Sequence, residues 1–251
     1  MASMGCIVAL PDKALFQGEI TDPARLLVQR PESLRAALNL DVRTRHEVIG
    51  LDPDSRSVTV CTDDGVCSIG YDALVLSPGA QPVRPPIPGL ESSRVHTLRT
   101  VGDATRLDEI VSQGATRAVV LGAGFIGLEA AEALAHRGLQ VTVVELAEHV
   151  LPPLEPELAS LVADELRRLG ITVRTQTRAL AIDRAAKTLL VKDVVSGKEE
   201  KLPYDKLVLA TGASPRVPPI EGKDLKNVLS LTRLEAAGAI RAACQEGKVS
   251  E

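Results

Sequence analysis

Residues 117–145 read RAVVLGAGFIGLEAAEALAHRGLQVTVVE, and this stretch decides the fold. Arg117–Leu121 is a short apolar run of the kind that forms a fully buried strand. Gly122-x-Gly124-x-x-Gly127 follows and opens a helix predicted to run to about His136, where Gly138 closes it. Gln140–Val144 is then a second buried strand, and Glu145 stands at its end. In such a unit the first glycine permits the tight turn, the second lets the backbone approach a pyrophosphate, and the third lets helix and strand pack closely. The free N–H groups at the helix N-terminus would receive the pyrophosphate, so Gly122, Ala123, Gly124, Phe125, Ile126 and Gly127 form the candidate cradle. Glu145 is placed to accept hydrogen bonds from a ribose 2′-OH. A glycine pattern alone is equally a tight turn without ligand. Strand, turn, helix, second strand and terminal acid in this order point to a dinucleotide. NADH is favoured over NADPH, because Glu145 would repel a 2′-phosphate. The following Leu146-Ala147-Glu148 supplies no cation to receive one, which leaves His149 alone.

Composition narrows the remaining classes. The 251 residues are 45% apolar and 25% charged, with a formal net charge of −4, an ordinary balance for a soluble globular chain long enough for one large core or two smaller ones. Acids and bases are interspersed, Trp is absent and aromatics make up 2%, so neither the basic footprint nor the stacking platform of a nucleic-acid binder is present. The longest apolar stretch is broken by Glu129 and Glu132, which excludes a membrane span there. The opening MASMGCIVAL lacks a basic n-region, so no secretory signal is expected. Cys6, Cys61, Cys67 and Cys244 show neither C-x-x-C nor zinc spacing. They read as reduced thiols in a cytoplasm, with no metal expected.

Outward from the glycine turn the chain repeats itself. Pro31–Leu38 is predicted as a short helix, Asp41–Ile69 as short β-rich runs with a hairpin at Asp64-Gly65, and Tyr71–Leu76 as a buried strand ending in Ser77-Pro78-Gly79. Gln81–Gly89 holds four prolines and reads as an extended linker, before a helix at about Val101–Gln113. Pro156–Leu169 carries Leu158, Leu161, Val162, Leu166 and Leu169 at helical spacing. Val42-Arg43-Thr44, Asp52 and Val60 recur as Val173-Arg174-Thr175, Asp183 and Val191. Two residues further out of phase, Tyr71-Asp72, Leu74-Val75-Leu76, Gly79-Ala80, Pro85-Pro86-Ile87 and Gly89 recur as Tyr204-Asp205, Leu207-Val208-Leu209, Gly212-Ala213, Pro218-Pro219-Ile220 and Gly222. The helix returns at about Leu234–Gln245, so 39–118 and 170–251 are two copies of one module: strand, meander, buried strand, proline linker, helix. The fold class is α/β: a Rossmann-like three-layer nucleotide-binding domain with a β-meander insert.

The motifs Gly-Ala-Gly-Phe-Ile-Gly-Leu-Glu (122–129), Val144-Glu-Leu-Ala147 with Leu151-Pro152-Pro153, and Leu76-Ser-Pro-Gly-Ala80 with its proline linker resemble the pyridine nucleotide–disulfide oxidoreductases. The branch they are most similar to is that of CoA-disulfide reductase, NADH oxidase and NADH peroxidase. The resemblance implies an FAD half and an NADH half, and hydride passing from NADH to flavin and on to a disulfide, peroxide or oxygen. It implies residues 1–114 as a partial FAD-type domain, 115–214 as the NADH domain, and 215–251 as a second linker and helix. Phe125 would then cover the flavin, Glu129 lie near the nicotinamide, and Gly212 close the NADH pocket. Glu47-Val48 would meet the adenine end of FAD, and Ser77-Pro78-Gly79 its ribityl-pyrophosphate region. Cys6 is the candidate redox cysteine, set before Gly18-Glu19-Ile20, and it departs from the family's spacing there.

Two further departures bear on function. The FAD half of the family opens on its own G-x-G-x-x-G, expected upstream of residue 1, and a dimerisation domain is expected after the end. The resemblance therefore implies a truncated, fused or rearranged member that by itself holds FAD weakly or not at all, because 19–114 lacks that glycine turn. Reading Arg117–Gly212 as an FAD half, through Ala210-Thr211-Gly212, is the other parsing. Three functions remain open at this point: a flavin-dependent NADH oxidoreductase acting on a small thiol, disulfide, peroxide or oxygen; an NADH-binding module without its own catalysis; and a scaffold without cofactor. The oligomeric state is left open, a homo-oligomer included.

Overall fold

The computed structural model describes residues 30–72, 74, 76–216 and 234–245, and it divides into two compact units. Cys6 lies outside the described residues. The larger unit takes in 82–212. Its centre is a parallel sheet of five strands in the order β5-β12-β6-β7-β8, where β5 is Val95–Thr97, β6 Arg117–Leu121, β7 Gln140–Val144, β8 Thr172–Arg174 and β12 Lys206–Leu209. Strands buried on both faces read as continuous apolar runs, and β6 shows why. Ala118 and Val120 face one core with Val141, Val143 and Val208, and Val119 and Leu121 face another.

Helices Val101–Ser112, Phe125–His136 and Pro156–Arg168 cover the first face, through Leu107, Ala131, Leu134, Ala159 and Leu166. The first of them is closed by a reciprocal cap, in which the Thr100 hydroxyl accepts from Asp103 N–H and the Asp103 carboxylate accepts from Thr100 N–H. On the second face lies a meander in the order β11-β10-β9, with β9 Thr177–Asp183, β10 Thr188–Asp193 and β11 Glu199–Pro203. It buries Ile182, Leu189, Val191 and Leu202 against the sheet, with Tyr204 fully enclosed among them. This gives the expected three layers. The helix Pro156–Arg168 sits otherwise than its leucines suggest. Ala159, Ala163 and Leu166 face the core, and Leu158 and Leu161 stay exposed. Small side chains let the helix backbone lie close to the sheet, which turns the two leucines outward.

Asp205, just before β12, fastens together the starts of β12 and β6, two inner strands of this sheet. Its carboxylate accepts from Thr116 N–H and hydroxyl and from Arg117 N–H and guanidinium. Burial pushes its pKa up, but these donors outweigh it and bring the carboxyl down to about 2.

The smaller unit takes in the described residues of 30–81, 213–216 and 234–245. It holds the helix Pro31–Leu38, the antiparallel meander β1-β2-β3 (Glu47–Asp52, Ser57–Thr62, Gly65–Gly70), the short β4 (Ala80–Pro82) paired with β13 (Ala213–Pro215), and the helix Leu234–Gln245. Within the first meander Thr62 pairs with Gly65, so the hairpin tip is Asp63-Asp64 rather than Asp64-Gly65. Positive φ falls on Gly65, after the tip. Cys67 pairs with Val60, which puts it on the opposite sheet face from Cys61, and both are free thiols.

The two meanders repeat each other in detail. Each carries one irregularity in the pairing of its first two strands, at Ile49 and at Leu180. Asp52 accepts from Asp54 and Ser55 N–H as Asp183 accepts from Ala185 and Ala186 N–H. Arg56 and Lys187 both take positive φ, and their carbonyls receive Tyr71 N–H and Tyr204 N–H. All these pairs stand at the offsets of the sequence repeat. The expected strand at 71–76 is the exception. No strand forms there among the described residues, and Leu74 and Leu76 are exposed. Its counterpart β12 is flanked on both edges by β5 and β6. An apolar strand without such neighbours leaves its backbone unpaired.

Asp205→Ala is expected to lower stability at neutral pH by about 2 kcal/mol, the range for hydrogen bonds to a charged group. Because the folded pKa is depressed, the wild-type advantage is complete above about pH 4 and fades as the pH falls toward 2. Urea melts of both proteins at pH 7 and pH 2.5 check this. A constant difference at the two pH values contradicts it.

Candidate functional site

The glycine turn lies where β6 ends, between the carboxyl ends of β7 and β12 in the larger unit. Its three glycines have distinct physical jobs. Gly122 takes φ +101°, and a Cβ on it would stand 2.3 Å from the Ala210 carbonyl oxygen that follows β12. A Cβ on Gly127 would stand 2.0 Å from the Gly122 carbonyl oxygen, so the helix is packed directly on the turn it leaves. These two are required by the fold. Gly124 differs: it has φ −75° and ψ 180°, which any residue adopts, and a Cβ there meets nothing within 4 Å. Among the described residues nothing fills the space beside Gly124, as a turn that admits a phosphate requires.

Donors face that space. The helix Phe125–His136 begins at Gly124 as its N-cap, without a side-chain cap, and its first bond runs from Leu128 N–H to Gly124 C=O. The N–H groups of Phe125, Ile126 and Gly127 therefore have no acceptor among the described residues. With the positive end of the helix dipole they form a site for an anionic group. Phe125 and Ile126 project into solvent at this end, 65% and 52% exposed. Glu129 follows one turn on, half-buried, with one carboxylate oxygen withdrawn from solvent.

Glu145 stands where the sequence places it, but it is already engaged. Its Oε2 accepts from Ala123 N–H at 2.6 Å and its Oε1 from Ala147 N–H at 2.9 Å. Each carboxylate oxygen can take a second donor, so both remain available to ribose hydroxyls. Sequence reasoning missed two residues here. Leu151 is buried with φ +47°, and its N–H donates to Ala123 C=O at 2.8 Å. Nothing in a Leu-Pro-Pro string announces that conformation. Arg174 is the other: its carbonyl receives Glu145 N–H, which brings a cation to the strand beside the acid, and its guanidinium is committed to Glu200 at 3.3 Å. His149, the cation foreseen there, bonds the Val150 carbonyl through Nδ1.

Gly212 takes φ +95°, and its carbonyl receives Val83 N–H. Glu47 and Val48 lie exposed on β1, and Ser77-Pro78-Gly79 form an exposed loop in the smaller unit. Of the other histidines, His46 bonds the Thr44 carbonyl. Burial, with Lys206 and Arg106 nearby, holds His96 below the usual imidazole range.

Known proteins resemble this chain in sequence and in fold. The sequence pattern of the pyridine nucleotide-disulphide oxidoreductase family matches residues 7–184 and again 176–249. An NADH oxidase of Methanocaldococcus jannaschii is 34% identical over 206 residues, covering 81% of this chain and 45% of that protein. A coenzyme A disulfide reductase of Staphylococcus aureus is 29% identical over 213 residues, covering 83% and 46%. The solved NAD-dependent persulfide reductase of A. fulgidus superposes with a TM-score of 0.71 at 34% identity, covering 81% of this chain and 38% of that one. The chain spans less than half the length of each of these relatives. With a glycine turn of this geometry and a family pattern over most of its length, the chain belongs to the pyridine nucleotide–disulphide oxidoreductase family.

Proposed function

We propose that the larger unit binds NADH at Gly122–Gly127 and that the protein serves NADH-dependent flavin oxidoreduction, passing hydride from NADH to FAD and on to a small disulfide, peroxide or oxygen. The observation that carries this reading is the open position at Gly124, where the helix starts with three N–H donors that have no acceptor among the described residues, beside Ala123, whose N–H is bonded to Glu145. The donors would hold the pyrophosphate. Glu145 would take the ribose hydroxyls and disfavour a 2′-phosphate, with Arg174 occupied by Glu200. Relatives named NADH oxidase, coenzyme A disulfide reductase and NAD-dependent persulfide reductase support the cofactor and the class of acceptor.

FAD, when bound, would supply the two-electron relay between nicotinamide and acceptor. Glu47, Val48 and Ser77-Pro78-Gly79 are the residues of this reading that would meet it, with Cys6 as the redox thiol. Phe125 would lie over the flavin, Glu129 near the nicotinamide, and Gly212 at the mouth of the pocket. No helix among the described residues is long and apolar enough to cross a membrane. The free thiols at Cys61 and Cys67 support a reducing, cytoplasmic location. A second reading, an NADH-binding module without its own catalysis, is favoured by one observation: segment 71–76 forms no strand among the described residues.

Fluorescence titration is expected to show NADH binding more tightly than NADPH. Gly124→Val should weaken NADH by at least about tenfold, or 1.4 kcal/mol, with little change in melting temperature, since its Cβ is unobstructed. Gly127→Ala should lower both together. Equal affinity for the two nucleotides, or full affinity in folded Gly124→Val, contradicts the assignment. The visible spectrum of the purified chain separates the two readings. Bound flavin supports the oxidoreductase, and a colourless protein that binds NADH supports the module.

A further inference from the structure

The contacts of Glu145 go beyond recognition of a ribose. We propose that Glu145 is also a positioning residue, whose carboxylate holds the glycine turn in its binding shape before a nucleotide arrives. This rests on the reading of the turn as the NADH site.

The argument starts at Ala123, fully buried between Gly122 and Gly124. Its N–H points at the Glu145 carboxylate and its C=O at Leu151 N–H, so both peptides that flank it are held. A peptide is planar, and its N–H and C=O point in opposite directions. Fixing the Ala123 carbonyl on Leu151 therefore also sets the direction of Gly124 N–H, which points away from that loop. The loop that carries Leu151 depends on the same acid, because Ala147 N–H donates to the other carboxylate oxygen. Leu151 holds φ +47°, a conformation that costs a non-glycine residue strain and persists only where neighbours impose it. One carboxylate thus ties the turn to the loop, and the turn's N–H groups are aimed in advance. Preorganisation of this kind adds affinity without a contact to the ligand.

A probe that cannot use the ribose contact isolates this role: an NADH analogue lacking the 2′- and 3′-hydroxyls of its adenosine ribose. Glu145→Ala and Glu145→Gln both remove the charge, but Gln keeps a carbonyl oxygen for Ala123 N–H. Because the amide that replaces the second oxygen cannot accept from Ala147 N–H, Glu145→Gln is expected to bind the analogue more weakly than wild type, and Glu145→Ala about tenfold more weakly than Glu145→Gln. Equal affinity of the two variants for the analogue overturns the proposal and leaves Glu145 as a ribose acceptor only. Should Glu145→Ala not fold, amide hydrogen exchange of the nucleotide-free wild type decides. Ala123 N–H is expected to exchange far more slowly than the uncapped Phe125 and Ile126 N–H groups, and equal rates overturn the proposal. If wild type binds neither NADH nor the analogue, the nucleotide reading fails while the exchange rates still report on the turn.

Discussion

The structure of the larger unit depends on one approach of backbone to backbone, that of Gly127 to the Gly122 carbonyl oxygen. With only 2.0 Å between that oxygen and the place of a Cβ, no side chain can stand there, and the helix seats on the turn it has just left. The seating fixes where the helix begins and so where its uncapped N–H groups lie. Gly122 is pressed in turn against the Ala210 carbonyl after β12. The turn is wedged between its own helix and the end of a strand some ninety residues later in the chain. Bonds from Gly122 N–H to the Val144 carbonyl and from Ala210 N–H to the Leu121 carbonyl complete the wedge. The proposed anion site is the part of this packing that the described residues leave open.

Much of this was legible because the signals were local and of different kinds. The period of the apolar residues separated strand from helix in 117–145. Glycine spacing located the turn, and the acid at position 145 lay where the next strand had to end. Helix Pro31–Leu38 and the three meander strands of the smaller unit were legible for the same reason, with proline and turn residues at their boundaries. The repeat was legible too, down to paired aspartates that cap equivalent turns.

What stayed hidden depends on neighbours distant in sequence. The run YDALVL reads as a buried strand because it is apolar throughout, yet a parallel strand exists only if other strands receive its hydrogen bonds. KLVL in the second copy has β5 and β6 on either side, and its near-identical partner among the described residues has neither. The same logic applies to Pro156–Arg168. Its leucines mark an apolar stripe, but which stripe faces inward was decided by how closely alanines let the helix approach. Leu151 is a third case. Its left-handed backbone is imposed by the bond it makes to Ala123, and no local preference of leucine foretells it.

These cases also explain why an acid at a strand end is a weaker guide than its position suggests. A carboxylate in a turn full of uncommitted N–H groups finds backbone partners whether or not a nucleotide is present, and Glu145 has found two. The same geometry then serves two ends. It satisfies donors that would otherwise be buried without a partner, and it leaves the outer lone pairs of the carboxylate for a ribose. A protein that evolves toward a 2′-phosphate at such a site cannot simply exchange the acid for a base. It has to supply another acceptor for the turn, and it has to release a cation that is already engaged, as Arg174 is with Glu200. If the loop binds a nucleotide as proposed, preference for one nucleotide is coupled in this way to the stability of the loop.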